Sequence, residues 1–454
     1  MSDAIVYATA SELLSLYRTR ALSPVELTRA VLAQIDRHEP RINAFARLDR
    51  EGALASAYES EQRVASGKPL RALEGIPVSV KDLLPARGLP TRRGSRTTSE
   101  AASDTDAPAV ARLREQGAIV LGKTTTSEFG LKGLGESPLT GITRNPWSLE
   151  HSPGGSSAGA VAAVAAGFGP LAVGTDGGGS IRVPSSYAGV VGLKPSFGRV
   201  AAHVPTLAGA PPHVGPIARS VEDAILLLRV LSVPDARDPW SLGHPAFEGP
   251  RAVKGLRVAY STNLGVGSLH PDVERAFLAS LDVFRALGVE LEESHPGFEA
   301  PAAILRVLFE ARAAETVAEL SAAARRELDP EIERAARAGE QLTARELWRA
   351  EAARVRLLEQ SARFHQRYDL LLTPTVNLTA PKTIPDPDEP RVSFASPFSL
   401  TRQPAISVPA GLSAQGLPIG LQIVGRHFEE DSVLGAALAF TQAAPLHKRP
   451  SLTA

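Results

Sequence analysis

The sequence predicts an α/β fold in which a β-sheet is covered by helices on both faces. Short apolar runs of strand length alternate with segments of helical spacing along the 454 residues. Several helical segments open on recognisable capping chemistry. One long stretch, 300–368, is rich in Ala, Arg, Glu and Leu with little Gly or Pro, which reads as a helical subregion inserted before the sheet resumes.

Thr9-Ala10-Ser11-Glu12 and Ser23-Pro24-Val25-Glu26 are both capping boxes, the second with proline at the first helical position. Leu27, Ala30, Val31 and Ile35 then recur at helical spacing, so residues 1–70 read as N-terminal helices packing one face on a core. Segment 75–84 is a strand of alternating apolar residues interrupted by Lys81. A helix over 107–116 leads into a buried strand at 118–122, and 158–174 reads as a buried helix turning into a buried strand. Ser220-Val221-Glu222-Asp223 opens another helix, followed by a strand at 255–260, a helix at 272–287 and a strand at 289–291. Beyond the helical subregion (296–368) come a strand at 368–373, a Pro/Asp-rich loop at 381–390, and segments 404–409 and 417–425, which look like a strand pair closing the sheet. With no internal repeat and no interdomain linker, residues 1–454 read as one domain, with a core at 71–225 and C-terminal strands and a helix at 369–454.

Composition narrows the function classes. Lys+Arg and Asp+Glu both total 49, a formal charge of +0, so no global field draws the chain to nucleic acid or to an anionic membrane. The absence of cysteine removes disulfides, thiolate nucleophiles and Cys-ligated metals together. Residues 1–10 lack the pattern of a secretory signal, which makes the cytoplasm the expected location. The longest apolar run, 158–174, is broken by Gly159, Gly167, Gly169 and Pro170 and falls short of the ~18 to 20 residues that span a bilayer.

The chemistry concentrates in 153–182, where two Gly-rich loops each carry serines. Gly155-Ser156-Ser157-Ala158-Gly159 matches the G-x-S-x-G elbow, with Ser157 as nucleophile, but that motif requires a strand just before it and 147–153 is not one. No phosphate-binding or dinucleotide fingerprint is present. His151, His203, His213 and His270 stand singly in loop-like contexts, read as solvated, and show no metal-binding spacing. Lys81 is more informative, because lysine is scarce (eight against forty-one arginines) yet this one interrupts an apolar strand. It either snorkels to water or pairs with Asp82, which strand alternation turns to the opposite face. Buried near serine hydroxyls, its amine would instead lose its proton and become a base in place of histidine.

At this point several motifs in register resemble the amidase signature family. They are the 75–84 segment, Gly122-Lys123-Thr124-Thr125-Thr126-Ser127-Glu128-Phe129, Arg144-Asn145-Pro146-Trp147, the two Gly-rich loops, Gly192-Leu193-Lys194-Pro195, Gln403-Pro404-Ala405-Ile406-Ser407-Val408-Pro409 and Gly416-Leu417-Pro418-Ile419-Gly420-Leu421-Gln422. The resemblance implies a central mixed, twisted β-sheet covered by helices on both faces, and a hydrolase acting on linear C–N bonds without metal or organic cofactor. It implies a Ser-cisSer-Lys triad that falls on Ser180 as nucleophile, Ser156 after a cis peptide as proton relay, and Lys81 as base. Gly177, Gly178 and Gly179, with the N–H of Ser180, are then the expected oxyanion hole, Asp176 and Arg182 the groups that orient the loop, and Ser157 a local hydrogen-bonding group at the helix start. Phe129, Leu131 and Leu134 lie on the loop that approaches substrate in the family, and Ile181 follows the nucleophile; these read equally as core or as an apolar pocket for an uncharged acyl group.

The family acts on small aliphatic and aryl amides, carbamates, ureas and fatty amides, and also supplies the glutaminase subunit of a tRNA-dependent amidotransferase. That subunit is the competing expectation. Against it, glutaminase subunits carry an acidic residue where this chain has Val392, and a double-arginine segment for which 300–368 shows no convincing match. A free-standing amidase with a small-molecule substrate and no nucleic-acid or membrane partner is therefore expected. Frequent dimers in the family imply a homodimer, on which the sequence itself is silent.

Overall fold

The computed structural model of the chain describes residues 2–202, 213–386 and 391–452. His203 and the end of the Pro/Asp-rich loop lie outside the described residues. In chain order the strands begin with β1 (Phe45–Leu48), β2 (Pro77–Lys81), β3 (Ile119–Thr124), β4 (Glu136–Ser137), β5 (Gly141–Ile142), β6 (Leu171–Asp176) and β7 (Val191–Lys194). They continue with β8 (His213–Ala218), β9 (Val258–Tyr260), β10 (Leu291–Glu293), β11 (Leu370–Pro374), β12 (Ala405–Leu412) and β13 (Pro418–Gly425). The central sheet has 11 strands in the order β1-β3-β2-β6-β8-β7-β12-β13-β11-β9-β10, and β4 and β5 form a separate hairpin. It is mixed: β3, β2 and β6 run parallel, β6 through β11 pair antiparallel, and β11, β9 and β10 are parallel again.

Helices cover both faces because successive strand residues point opposite ways. In β6, Leu171 and Val173 join the large core that includes Val221, Leu227 and Leu228 of the Val221–Leu231 helix, whereas Ala172 packs with Ala160, Val161 and Val164 of the Ala158–Ala165 helix. In β11, Leu370 and Leu372 face the large core while Leu371 packs with Phe364 and Phe398 on the other side. Every residue of β2, β3, β6 and β13 is buried, as strands covered on both faces require. The capping boxes at Thr9 and Ser23 form in both directions, and Ser220 accepts from the Asp223 N–H.

Two expectations need correction. Segments 404–409 and 417–425 do form a strand pair, but β12 and β13 sit inside the sheet, because β13 also pairs with β11 and β9 and β10 lie beyond. The edge on that side is short β10, displaced to Leu291–Glu293 and ending on exposed acidic residues, a common way to blunt an edge. The helical subregion comprises the helices Pro301–Val317, Ala322–Arg325, Pro330–Glu340 and Ala344–Arg367. Its Ala313, Val317, Leu328, Ile332 and Ala336 pack on Phe129 and Leu131, so it roofs the loop that follows β3. Among the described residues no helix is long and apolar enough to cross a membrane.

Candidate active site

Lys81 is the last residue of β2 and is completely buried. Its Nζ lies 2.8 Å from Ser156 Oγ, 2.9 Å from Ser157 Oγ, 2.9 Å from Thr175 Oγ1 and 3.3 Å from the Thr175 carbonyl. None of these partners is an acid. Asp82, the neighbour considered as an ion-pair partner, instead accepts from Lys123 at 2.9 Å, with both side chains buried. Burial pushes the Lys81 ammonium well below its ordinary range; Asp176 opposes the shift and Arg312 adds to it.

Ser156 and Ser157 end the first Gly-rich loop. The Gly155–Ser156 peptide is cis, as the resemblance implies. Gly155 is required by close approach: a methyl group there would lie 2.4 Å from the Leu134 carbonyl oxygen. Ser157 occupies the N-cap position of the Ala158–Ala165 helix without capping it. Its hydroxyl donates to the Thr175 carbonyl at 3.2 Å and faces Lys81, so it binds the lysine rather than the helix start. The preceding residues form only two isolated bridges, at Ser148 and His151, so the strand an elbow needs is absent there.

Ser180 ends the second loop, at the C-terminal end of β6, and its carbonyl accepts from the Ser157 N–H at 3.2 Å. The loop is held by Asp176, a fully buried carboxylate. It accepts from the backbone N–H groups of Gly179 (2.8 Å) and Ile181 (3.2 Å), from Arg182 Nε and Nη2 (both 3.0 Å), and from Ser399 Oγ (3.0 Å). Burial alone would raise this carboxyl, but the Arg182 guanidinium overrides it and holds it well below the usual carboxylate range. Arg182 is itself anchored to Gln422 Oε1 at 2.8 Å and Ser399 Oγ at 2.7 Å. Asp176→Asn leaves Arg182 as a buried, half-paired cation, so a loss of about 3 to 5 kcal/mol in unfolding free energy is expected, read by chemical denaturation.

One oxyanion expectation changes. The Gly179 N–H is committed to Asp176, with Gly179 at φ 118°, whereas the N–H groups of Gly177, Gly178 and Ser180 meet no acceptor among the described residues. Ser180, Gly178, Gly179 and Gly155 line one cavity of about 300 Å³. Leu131 and Leu134 are on its wall, with Leu305, Phe309 and Val392. Phe129 is not, since it packs beneath the helical subregion, and Ile181 is fully buried in the core with Ala160 and Ile217. The alternation that exposes Ser180 turns Ile181 inward.

Sequence reasoning missed Thr175, although it stands inside the quoted loop; its signal was that β6 runs parallel beside β2 and so ends next to Lys81. It also missed Leu305 and Phe309, because a helix far along the chain does not announce what it covers. His213 was read as solvated but lies buried at the start of β8, its Nδ1 3.0 Å from the Asp176 carbonyl oxygen. Among the described residues no group of three His, Asp or Glu side chains is placed to hold a metal.

A family model described as Amidase matches residues 26–434. The acylamidase of Rhodococcus erythropolis is 36% identical over 466 residues, covering 98% of this chain and 97% of that protein. A glutamyl-tRNA(Gln) amidotransferase subunit of Geobacter metallireducens is 34% identical over 474 residues, covering 97% of this chain and 98% of that protein. The crystal structure of a bacterial aryl acylamidase of the amidase signature family superposes with a TM-score of 0.90 at 26% identity, covering 97% of this chain and 96% of that one.

Proposed function

The chain belongs to the amidase family, and on that premise we propose that it is a free-standing amidohydrolase cleaving a small carboxylic amide through an acyl-enzyme on Ser180. Ser156 is the proton relay and Lys81 the general base. The observation that carries this reading is a fully buried lysine, without an acid partner, 2.8 Å from Ser156 Oγ.

A neutral amine has two N–H donors and one lone pair. The Ser157 hydroxyl gives its own proton to the Thr175 carbonyl, so towards Lys81 it acts as an acceptor. Thr175 Oγ1 takes the second N–H, which leaves the lone pair for the Ser156 O–H. As Ser180 Oγ attacks the carbonyl carbon, its proton passes to Ser156 Oγ and the Ser156 proton passes to Lys81. The N–H groups of Gly177, Gly178 and Ser180 hold the developing oxyanion, each worth ~3 to 4 kcal/mol where a site depends on it. Running backwards, the relay protonates the leaving nitrogen as the C–N bond breaks, and water then attacks the acyl-enzyme by the same route. Carbamates, anilides, ureas and esters offer the same carbonyl and fall within the proposed range.

The glutaminase-subunit reading is disfavoured by the cavity wall. Val392, at the position where glutaminase subunits carry an acid, faces it among Leu131, Leu134, Leu305 and Phe309. The chain purified alone is expected to hydrolyse an aryl amide and to leave glutamine untouched. Inactivity alone, rescued by the remaining subunits of an amidotransferase, would contradict the proposal.

A further inference from the structure

The Pro301–Val317 helix presents Leu305, Phe309 and Arg312 to the catalytic loop, at the i, i+4, i+7 spacing of one helix face. Methyl groups placed on Gly178 would lie 3.4 Å from Leu305 Cδ2 and 3.7 Å from Phe309 Cε2, and one placed on Gly177 would lie 3.8 Å from Arg312 Nη1. An apolar wall therefore ends in a half-buried guanidinium beside the loop whose N–H groups are open. Arg312 makes no hydrogen bond or ion pair through its side chain among the described residues. Arg93 is near enough for its charge to act on Arg312; it is exposed and likewise has no acid partner there. Burial first, and then Arg93, lowers the Arg312 guanidinium from its ordinary range.

A guanidinium turned away from water against the Gly177 backbone with no counter-ion is held at some cost to the fold, unless a ligand supplies the missing negative charge. No acid near the loop supplies it, and the charged residues lining the cavity itself are Glu331, Lys132 and the exposed Arg391. Glu331 is 3.5 Å from Lys132, which also bonds Glu136 at 2.6 Å and Asp329 at 3.2 Å. Asp176 is fully engaged by Arg182, Ser399 and the backbone.

We propose that Arg312, assisted by Arg93, is the specificity-determining residue for a substrate amide that carries a carboxylate, joined to the scissile amide by an apolar spacer lying along Leu305 and Phe309. The proposal rests on the amidase reading of the Ser180 cavity, and it replaces the uncharged acyl group expected from the sequence. A planar guanidinium bonds a carboxylate through two parallel N–H groups, which fixes the ligand's direction as well as its charge.

The test compares matched pairs of anilides. N-phenylsuccinamic acid against N-phenylbutanamide places the carboxylate on the acyl side; 4-acetamidobenzoic acid against acetanilide places it on the amine side. In one pair the acid is expected to show a kcat/KM about ten-fold or more above its neutral partner, the size of one charge-assisted hydrogen bond. In Arg312→Gln the ratio of acid to neutral partner should fall towards one, and Arg93→Gln should lower it less. Taking ratios within each variant cancels any general loss of activity. Absence of preference in the wild type for either acid, or a preference that Arg312→Gln leaves intact, overturns the proposal. Calorimetry on the wild type tests it without turnover or a variant. Binding of 4-phenylbutyrate should be about ten-fold or more tighter than that of 4-phenylbutan-1-ol, and equal binding overturns the proposal. Failure to cleave any of the four amides, with 4-phenylbutyrate still preferred, contradicts the amidase reading and leaves the carboxylate site standing.

Discussion

Ser180→Ala is expected to lower kcat on a hydrolysable amide by at least about 10⁴-fold, with residual turnover from the oxyanion donors alone. The size follows from what is removed: without Oγ no acyl-enzyme forms, and water must attack the amide directly. Stability should scarcely change. The Ser180 hydroxyl lines the cavity and makes no hydrogen bond to the described residues, so its loss leaves no partner unsatisfied. The unfolding free energy is expected to stay within about 0.5 kcal/mol of wild type. That pairing of a large kinetic loss with an intact fold distinguishes the nucleophile from a residue that merely supports the loop. Asp176→Asn is expected to show the opposite signature, losing stability.

Lys81→Met is expected to cost ~10²- to 10⁴-fold in kcat, the usual range for a general base. The pH dependence carries more information than the size. Because burial lowers the Lys81 pKa, the amine becomes neutral, and therefore active, at a pH well below the ordinary lysine value of 10.5. In the wild type, kcat/KM should rise with pH through that depressed pKa and then level off; Lys81→Met should lack this limb. Stability moves the same way. Between the folded pKa and 10.5 the unfolded chain holds a proton that the folded chain has lost, so wild-type stability rises with pH across that window. Lys81→Met should lose that part of the slope, which denaturation at several pH values reads directly. A kcat/KM limb unchanged in the variant would assign the base elsewhere.

Much of the fold was legible because its strands are covered on both faces and so appear as continuous apolar runs, as in 118–122 and 417–425. The capping boxes at Thr9 and Ser23 fixed two helix starts to the residue. Strands β7 and β8 were not marked, since Gly192, Gly215 and Pro216 punctuate them like turns, and only pairing within the sheet makes them strands. The order of the strands was also out of reach. Nothing local shows that β12 and β13 lie between β7 and β11.

The two Gly-rich loops were legible as candidate chemistry before they were legible as geometry. Lys81 stood out as a rare lysine in an apolar strand, and parallel pairing of β2 with β6 then brings it beside Thr175, near the end of the strand that leads to Ser180. The cavity wall was less accessible. Leu131 and Leu134 reach it, whereas Phe129 stays beneath the helical subregion and Ile181, next to the exposed Ser180, turns into the core. Leu305 and Phe309 come from a helix more than a hundred residues further along, whose face is set by how the subregion docks on the loop after β3, and Val376, Val392 and Ser393 come from further still.

The most direct test of the central claim is to trap the intermediate. The wild type is mixed with an activated aryl ester or anilide, quenched in acid within one turnover, and digested for mass spectrometry. The expected result is an acyl adduct on Ser180 that disappears on a timescale matching kcat and is absent from Ser180→Ala. An adduct that forms and turns over on Ser156, Ser157 or any other residue, with Ser180 unmodified, would contradict it.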